Sequence, residues 1–234
     1  LGEGDRRQLM APVDVMSWPG CRGIETPAMV PLPDGLKPIQ AMPSSHETTR
    51  QFLTRCCDVL ISSEQDLNAL DAKSGDGDTG STLANASRAL IAAMDTLPLA
   101  DHTQLFRAVG QELSQTMGGS SGVLMAIFFA AAGDAASSGL PMRDALQAGL
   151  QRMQEIGGAQ VGDRTMVDAL SPALDALDGG VAAAAVAARQ GADRTARMTK
   201  AKAGRSSYVS EAQLDGHTDP GAEAVARLFE HIST

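Results

Sequence analysis

The sequence predicts an all-α fold of seven to nine helices over residues 44–234, preceded by an extended, proline-rich segment. Three observations lead there. Apolar residues recur at three- and four-residue spacing from Ser44 onward. No stretch beyond that point alternates as a half-buried strand does. Aromatic residues make up only 3% of the chain while alanine abounds, which suits a core of Ala, Leu, Val and Met on closely packed helices.

Residues 1–43 hold Pro12, Pro19, Pro27, Pro31, Pro33, Pro38 and Pro43, a density that excludes long helices. Met10, Val13, Trp18 and Met29 are scattered among them, so the segment reads as a linker lying on a neighbouring domain. Ser44 or Ser45 caps a first helix with the stripe Phe52, Leu53, Cys56, Val59, Leu60. Ser62 and Ser63 cap a second, which brings Asp71 to a helix end. A third runs from about Gly80 to Leu97 and stops before Pro98; a fourth runs from Asp101 to Met117. Val123 to Ala136 is so apolar that it reads as a helix buried nearly all round. Pro141 opens the next helix as its first residue, and further helices follow over Thr165 to Leu177, Val181 to Met198 and Pro220 to His231.

A net charge of −9 argues against a general nucleic-acid binder. The longest uncharged apolar run, Gly122 to Gly133, reads as too short to span a bilayer, and no secretory signal opens the chain. Cys21, Cys56 and Cys57 suit no disulfide framework and read as reduced thiols of a cytoplasmic protein, one of the adjacent pair facing a core.

Chemistry concentrates in Asp71-Ala-Lys-Ser-Gly-Asp76-Gly-Asp78-Thr-Gly-Ser-Thr82. Three carboxylates within eight residues repel one another unless a hard cation such as Mg²⁺ or Ca²⁺ sits among them. The D-x4-D-x-D spacing, with Thr82 at the twelfth position, is not that of an EF-hand. Thr79, Gly80, Ser81 and Thr82 open a helix whose free amides form a natural phosphate site. Metal ligands running into a phosphate cradle suggest a Mg-nucleotide.

The other candidates each have a plainer reading beside the functional one. Gly118 to Gly122, with Ser120 and Ser121, is either a helix–helix loop or a second phosphate turn; no Walker P-loop occurs in the chain. Asp163 reads as an N-cap, and Asp219 as an N-cap with Pro220 at the first helical position. Lys200, Lys202 and Arg205 form a basic loop, solvated or touching an anion. His46, His102 and His231 have no ligand spacing and read as surface residues. Taken together, several polar helix starts suggest one rim of a helical bundle gathered around a ligand.

Five ordered motifs, LNALDAKSGDGDTGST, GGSSG, GDRTMVDALSPAL, AGRSSY and GHTDPGA, make residues 44–234 resemble the nucleotide-binding domain of the dihydroxyacetone kinases. The resemblance implies an antiparallel barrel of about eight helices with ATP or ADP at one rim. It implies two Mg²⁺ ions on Asp71, Asp76 and Asp78, with Thr79 to Thr82, Ser120 and Ser121 lining the phosphates. Gly162 and Ser171 would border base and ribose, while Arg205, as the catalytic cation, and Asp219, Pro220 and Gly221 would close over the nucleotide. The implied acceptor is dihydroxyacetone or glyceraldehyde, held by a substrate domain of the same polypeptide through which the protein would form a homodimer. In the family's other branch the domain is a separate, ADP-carrying subunit fed by the phosphotransferase system, usually with Asp-His-Gly where this chain has Asp78-Thr79-Gly80. The more distant fatty-acid kinases share the D-G-D-T-G element, but the GDRTM and GHTDPG motifs fit them less well. Residues 9–19, LMAPVDVMSWP, resemble the tail of a substrate domain, which favours the single-chain, ATP-dependent branch.

Overall fold

Most helices follow one another with short connections, the two longest connections being 158–166 and 196–210. The structure, a computed structural model, describes residues 42–203 and 205–234, except for the side chains of Arg205 and Ala212. The helices are α1 (Glu47–Ser62), α2 (Glu64–Ser74), α3 (Thr79–Ala93), α4 (His102–Thr116) and α5 (Gly119–Ser137). They continue with α6 (Met142–Gly157), α7 (Val167–Asp175), α8 (Val181–Thr195), the single turn α9 (Glu211–Leu214) and α10 (Pro220–Ile232). Among the described residues no strand occurs; one isolated bridge joins Ser44 to Pro98. The predicted all-α class therefore stands. The proline-rich segment falls, apart from Met42 and Pro43, outside the described residues.

Packing partners close a ring. α1 lies against α3, α3 against α4, and so on through α5, α6, α7 and α8 to α10, which returns to α1. Two-residue and four-residue connections between α4, α5 and α6, which pack side by side, reverse the chain at each step. α2 stands outside the ring on α3 and α10, and α9 packs on α2. One core cluster gathers Phe128, Leu150, Met153 and Leu174 around the alanines of α8 and Phe229 of α10. A second gathers Met94, Leu99, Leu105, Val109 and Leu113. Ala184, Ala188 and Ala192 are fully buried, as small residues must be where helices approach closely.

Several helix starts differ from the sequence reading, each for a physical reason. α1 is capped by His46, whose Nδ1 accepts from the Thr49 amide at 3.3 Å, and not by Ser44 or Ser45. Ser44 is occupied elsewhere: its carbonyl accepts from Leu99 and its hydroxyl from the Ala100 amide at 3.0 Å. Ser62 closes α1, and Ser63 at the start of α2 makes no side-chain cap. Pro141 is the cap of α6, one position ahead of its expected place. α7 begins at Val167 and ends at Asp175, inside the expected span, and α8 ends at Thr195. Phe52, placed on the first apolar stripe, is exposed, whereas Cys57 is buried as expected of one cysteine of the pair.

α5 needs a larger correction. Of its residues Gly122, Phe128, Ala132 and Gly133 are buried, while Val123 is 59% exposed. A ring gives each helix two neighbours, so an apolar member is covered on two sides and not all round. At 19 residues α5 is also, by length and composition alone, apolar enough to cross a membrane, which the shorter uncharged run had not suggested. Its extensive packing on α4 and α6 makes it a member of the ring.

Charge ties α2 to the ring. Arg189 of α8 bonds Glu223 at 2.6 Å and Glu230 at 2.7 Å; Arg227 bonds Glu223 at 2.7 Å and Asp66 of α2 at 2.9 Å. Burial alone would raise the Glu223 carboxyl, but its bonds to the two guanidiniums outweigh it and hold the group below its ordinary value. Gly80, buried at the start of α3, sets how closely α3 meets α2, because a Cβ there would fall on the Glu64 carbonyl. Gly80→Ala is expected to destabilise the fold by about 1–3 kcal/mol through overpacking, read by urea denaturation. An unchanged midpoint would mean that α2 is not seated on α3 as described.

Candidate functional site

The α2–α3 connection is built around a buried carboxylate. Asp71, in the last turn of α2, is 7% exposed, and its Oδ2 accepts from the amides of Gly77 (3.0 Å), Asp78 (2.9 Å) and Thr79 (3.1 Å). Three N–H groups on one charged oxygen wrap the loop around Asp71 and start α3 beside it. The other oxygen, Oδ1, lies where a Cβ on residue 75 would fall, so Gly75 is what leaves it room. Asp76 and Asp78 are exposed, and one carboxylate oxygen from each of the three aspartates lies within 4.8 Å of the others. An all-oxygen set this tight, two of its three carboxylates facing solvent, fits a hard divalent cation that keeps other ligands on its open side.

The residues after Asp78 divide. The Thr82 amide makes the first helical bond, to the Asp78 carbonyl at 2.9 Å, and Asp78 caps α3 without a side-chain bond. Ser81 turns to α2: its amide donates to Asn68 Oδ1 at 3.0 Å, and its hydroxyl donates to Glu64 at 3.1 Å and accepts from Asn68 Nδ2 at 2.9 Å. Its polar groups hold two helices together. Thr79 and Thr82 are half-buried. Ser120 and Ser121 are exposed in the first turn of α5, whose cap, Gly118, offers no side chain to its amides.

A second polar centre joins two stretches fifty residues apart. Gly162, at φ 99°, donates its amide to Asp168 Oδ1 at 2.6 Å, and Asp168 Oδ2 accepts from Thr165 at 2.8 Å. Asp168, from inside α7, thus ties the preceding loop to the helix, and the N-cap expected of Asp163 is absent: Met166 precedes α7 with no side-chain cap. Asp163 instead accepts the Gln160 amide at 2.8 Å and pairs with Lys202 at 3.1 Å. Asp219 caps α10 as expected, accepting from the Ala222 amide at 2.9 Å, with Pro220 at the first helical position. Gly221 packs on Met166, which joins this stretch to the first. Ser171 stands a turn into α7, in an open groove of about 460 Å³ shared with Arg143, Gln147 and Gln151 of α6. Lys200 pairs with Glu211 at 3.1 Å, so both lysines of the basic loop have carboxylate partners. Arg205 begins a 3₁₀ turn, Arg205–Tyr208, and its side chain lies outside the described residues.

Sequence reasoning missed Arg164. It is 1% exposed, adopts φ 62°, and donates from Nη2 to the His217 carbonyl at 2.6 Å. Burial lowers its pKa, and the nearby Asp219 and Asp168 carboxylates oppose that shift. An arginine between Asp163 and Thr165 looks solvated in the sequence; only its position inside a polar motif marked it. Burial pushes Asp219 up to about 6, against the pull of the Ala222 amide and Arg164. Burial likewise pushes Cys56 to about 12 and Cys57 to about 11, so both free thiols stay protonated.

Two outcomes follow from this geometry. A carboxyl whose folded pKa is raised binds its proton more tightly in the folded state, so Asp219 makes stability fall as pH rises from about 4 to about 6. Asp219→Asn keeps the cap and should remove a decline on the order of 2 kcal/mol, read as the difference between the two proteins' stability–pH curves; parallel curves would refute the assignment. Asp71→Asn should lower apo stability by about 1–3 kcal/mol, because three amides lose a charged acceptor. Asp78→Asn should leave the apo melting temperature unchanged or higher, since it only relieves repulsion. Equal losses from the two variants would contradict the distinct roles.

The profile of the DAK2 domain matches residues 73–234. The dihydroxyacetone kinase of Citrobacter freundii is 40% identical, with all of this chain aligned to 43% of that protein. A crystal structure of that kinase in complex with AMP-PNP and Mg²⁺ superposes with a TM-score of 0.75 at 38% identity, covering 89% of this chain and 38% of the other. The ADP-binding subunit DhaL of the phosphotransferase-dependent dihydroxyacetone kinase of Lactococcus lactis is 32% identical over 80% of this chain and 95% of its own length. This chain thus spans less than half of the single-chain kinase and nearly all of the separate subunit. With its match to the profile running over most of its length, this chain belongs to the DAK2 domain family.

Proposed function

We propose that this chain is the nucleotide-binding part of an ATP-dependent kinase that phosphorylates dihydroxyacetone, and glyceraldehyde beside it, with the acceptor held by another domain of the same polypeptide. The observation that carries this reading is the Asp71–Asp76–Asp78 cluster set on the first amides of α3. Asp71, Asp76 and Asp78 would hold Mg²⁺, two ions in all, which when bound neutralise phosphate charge. At the start of α3 the Thr79 and Thr82 amides are taken by Asp71 and Asp78, so Thr79 and Thr82 would offer their hydroxyls and Gly80 its amide to the phosphate oxygens, while Ser120 and Ser121 at the uncapped start of α5 would offer amides and hydroxyls. Ser81 belongs to this stretch by sequence, and its contribution is to fix α3 on α2. Gly162, Ser171, Asp219, Pro220 and Gly221 are assigned to the nucleoside side, and Arg205 to the charge that builds on the transferred phosphoryl group.

Two observations favour the single-chain branch over a separate ADP-carrying subunit. The alignment with the Citrobacter kinase takes in the whole chain, residues 1–43 included, whereas the DhaL alignment takes in 80% of it. Thr79 also stands where the separate-subunit branch usually has histidine. We assign residues 1–43 to the linker and the tail of the preceding substrate domain, residues 44–234 to the nucleotide domain, and homodimerisation to the substrate domain. We assign the protein to the cytoplasm, on cysteines that suit no disulfide framework.

Calorimetric titration tests the binding half: this chain, and its excised residues 44–234, should bind MgATP, and Asp78→Asn should abolish it. Unchanged affinity in the variant would overturn the metal assignment. A coupled ADP-release assay tests the division of labour. An in-line transfer needs the acceptor oxygen held about 3–3.5 Å from the phosphorus, so the chain alone should not turn over dihydroxyacetone, and adding the substrate domain should restore turnover. Activity near a kinase's ~1–100 s⁻¹ without that domain would place the acceptor site inside this chain. Free exchange of bound ADP with ATP is expected; tightly retained ADP would favour the separate-subunit reading.

A further inference from the structure

Arg164 carries three costs that an ordinary structural residue would avoid. It holds a positive φ of 62°, where a side chain is strained. Its charge is 1% exposed. Its Nε and Nη1 are buried without a hydrogen-bond partner. Strain and orphaned donors that persist together in one place point to function.

Its contacts indicate which function. Nη2 donates to the carbonyls of His217 (2.6 Å) and Leu214 (3.5 Å). The turn between them is otherwise fixed to the end of α8, by Gly216 N–H to the Ala196 carbonyl at 2.9 Å and Asp219 N–H to Thr195 Oγ1 at 2.8 Å. Thr218, inside that turn, shares a cleft of about 340 Å³ with Leu70 and Lys73 of α2, one turn or less from Asp71. The Arg164-bound turn thus stands beside α2, the helix that ends in the Asp71 loop. The Asp71 loop itself takes its order from its own amides.

We propose that Arg164 is a positioning residue for the nucleoside half of the ligand: it locks the Leu214–Asp219 turn to the Gly162–Asp168 turn, while phosphate binding is organised separately. This rests on the nucleotide-site reading above. The test compares MgATP with Mg-tripolyphosphate, which has no nucleoside, by calorimetry on the full chain and on Arg164→Met. Wild type is expected to bind both. In Arg164→Met the MgATP affinity should fall about tenfold or more while tripolyphosphate affinity is unchanged, and Arg164→Lys, which keeps a cation and one donor, should recover part of the loss. Equal losses for both ligands, or no loss for either, would overturn the proposal. So would failure of both variants to fold, which would make Arg164 a residue of folding alone. A wild-type chain that binds neither ligand would instead refute the nucleotide reading itself, leaving a distinct signature.

Discussion

A single buried oxygen, Oδ2 of Asp71, organises the connection between α2 and α3. By accepting three successive amides it bends the chain from α2 into α3 and fixes where α3 begins. A carboxylate buried without partners costs several kcal/mol; three charge-assisted bonds offset that cost and convert a flexible glycine loop into a fixed one. Oδ2 is committed to the loop, while Oδ1 lies in the room that Gly75 leaves, so the two oxygens of one carboxylate have different surroundings. Asp76 and Asp78 then sit close by as a consequence of loop shape.

The ring of helices places this loop without being shaped by it. Alanines and glycines along α8 and Gly80 on α3 let backbones approach, and α2 is held from outside by Gly80, by the Asn68–Ser81 pair and by the Arg227–Asp66 ion pair. α2 is therefore carried by polar contacts as much as by apolar ones. Exposed ion pairs contribute little individually, so the closeness enforced at Gly80 and the half-buried Asn68 network matter more for where Asp71 stands.

Much of this was legible in the sequence because it depends on near neighbours. The Asp71–Thr82 loop, the Asp219 cap with Pro220, and nearly every helix could be read from spacing, since caps and periodicity are set within about four residues. What could not be read depends on distant partners. Ser44 looks like a cap until Leu99 and Ala100 claim it. Asp163 looks like a cap until Lys202 and the Gln160 amide claim it, leaving α7 without a side-chain cap. α5 looks fully buried because hydropathy counts apolar residues and not neighbours, and a ring supplies only two. Arg164 was invisible for the reverse reason: a charge is assumed solvated unless its burial is seen.

Buried charge appears at both ends of the proposed ligand, with opposite character. At Asp71 every bond is made within eight residues of sequence, so the phosphate end can form whenever α2 and α3 meet. At Arg164 the bonds span about fifty residues and join α7, the end of α8 and the start of α10. That end can form only once the ring has closed through α8 and α10. A ligand touching both would add its binding energy to the folded state only, stabilising the later-formed half as well as the earlier one. Under the proposed reading, ring closure would be coupled to the nucleoside end, and the Asp71 loop would stay largely independent of it.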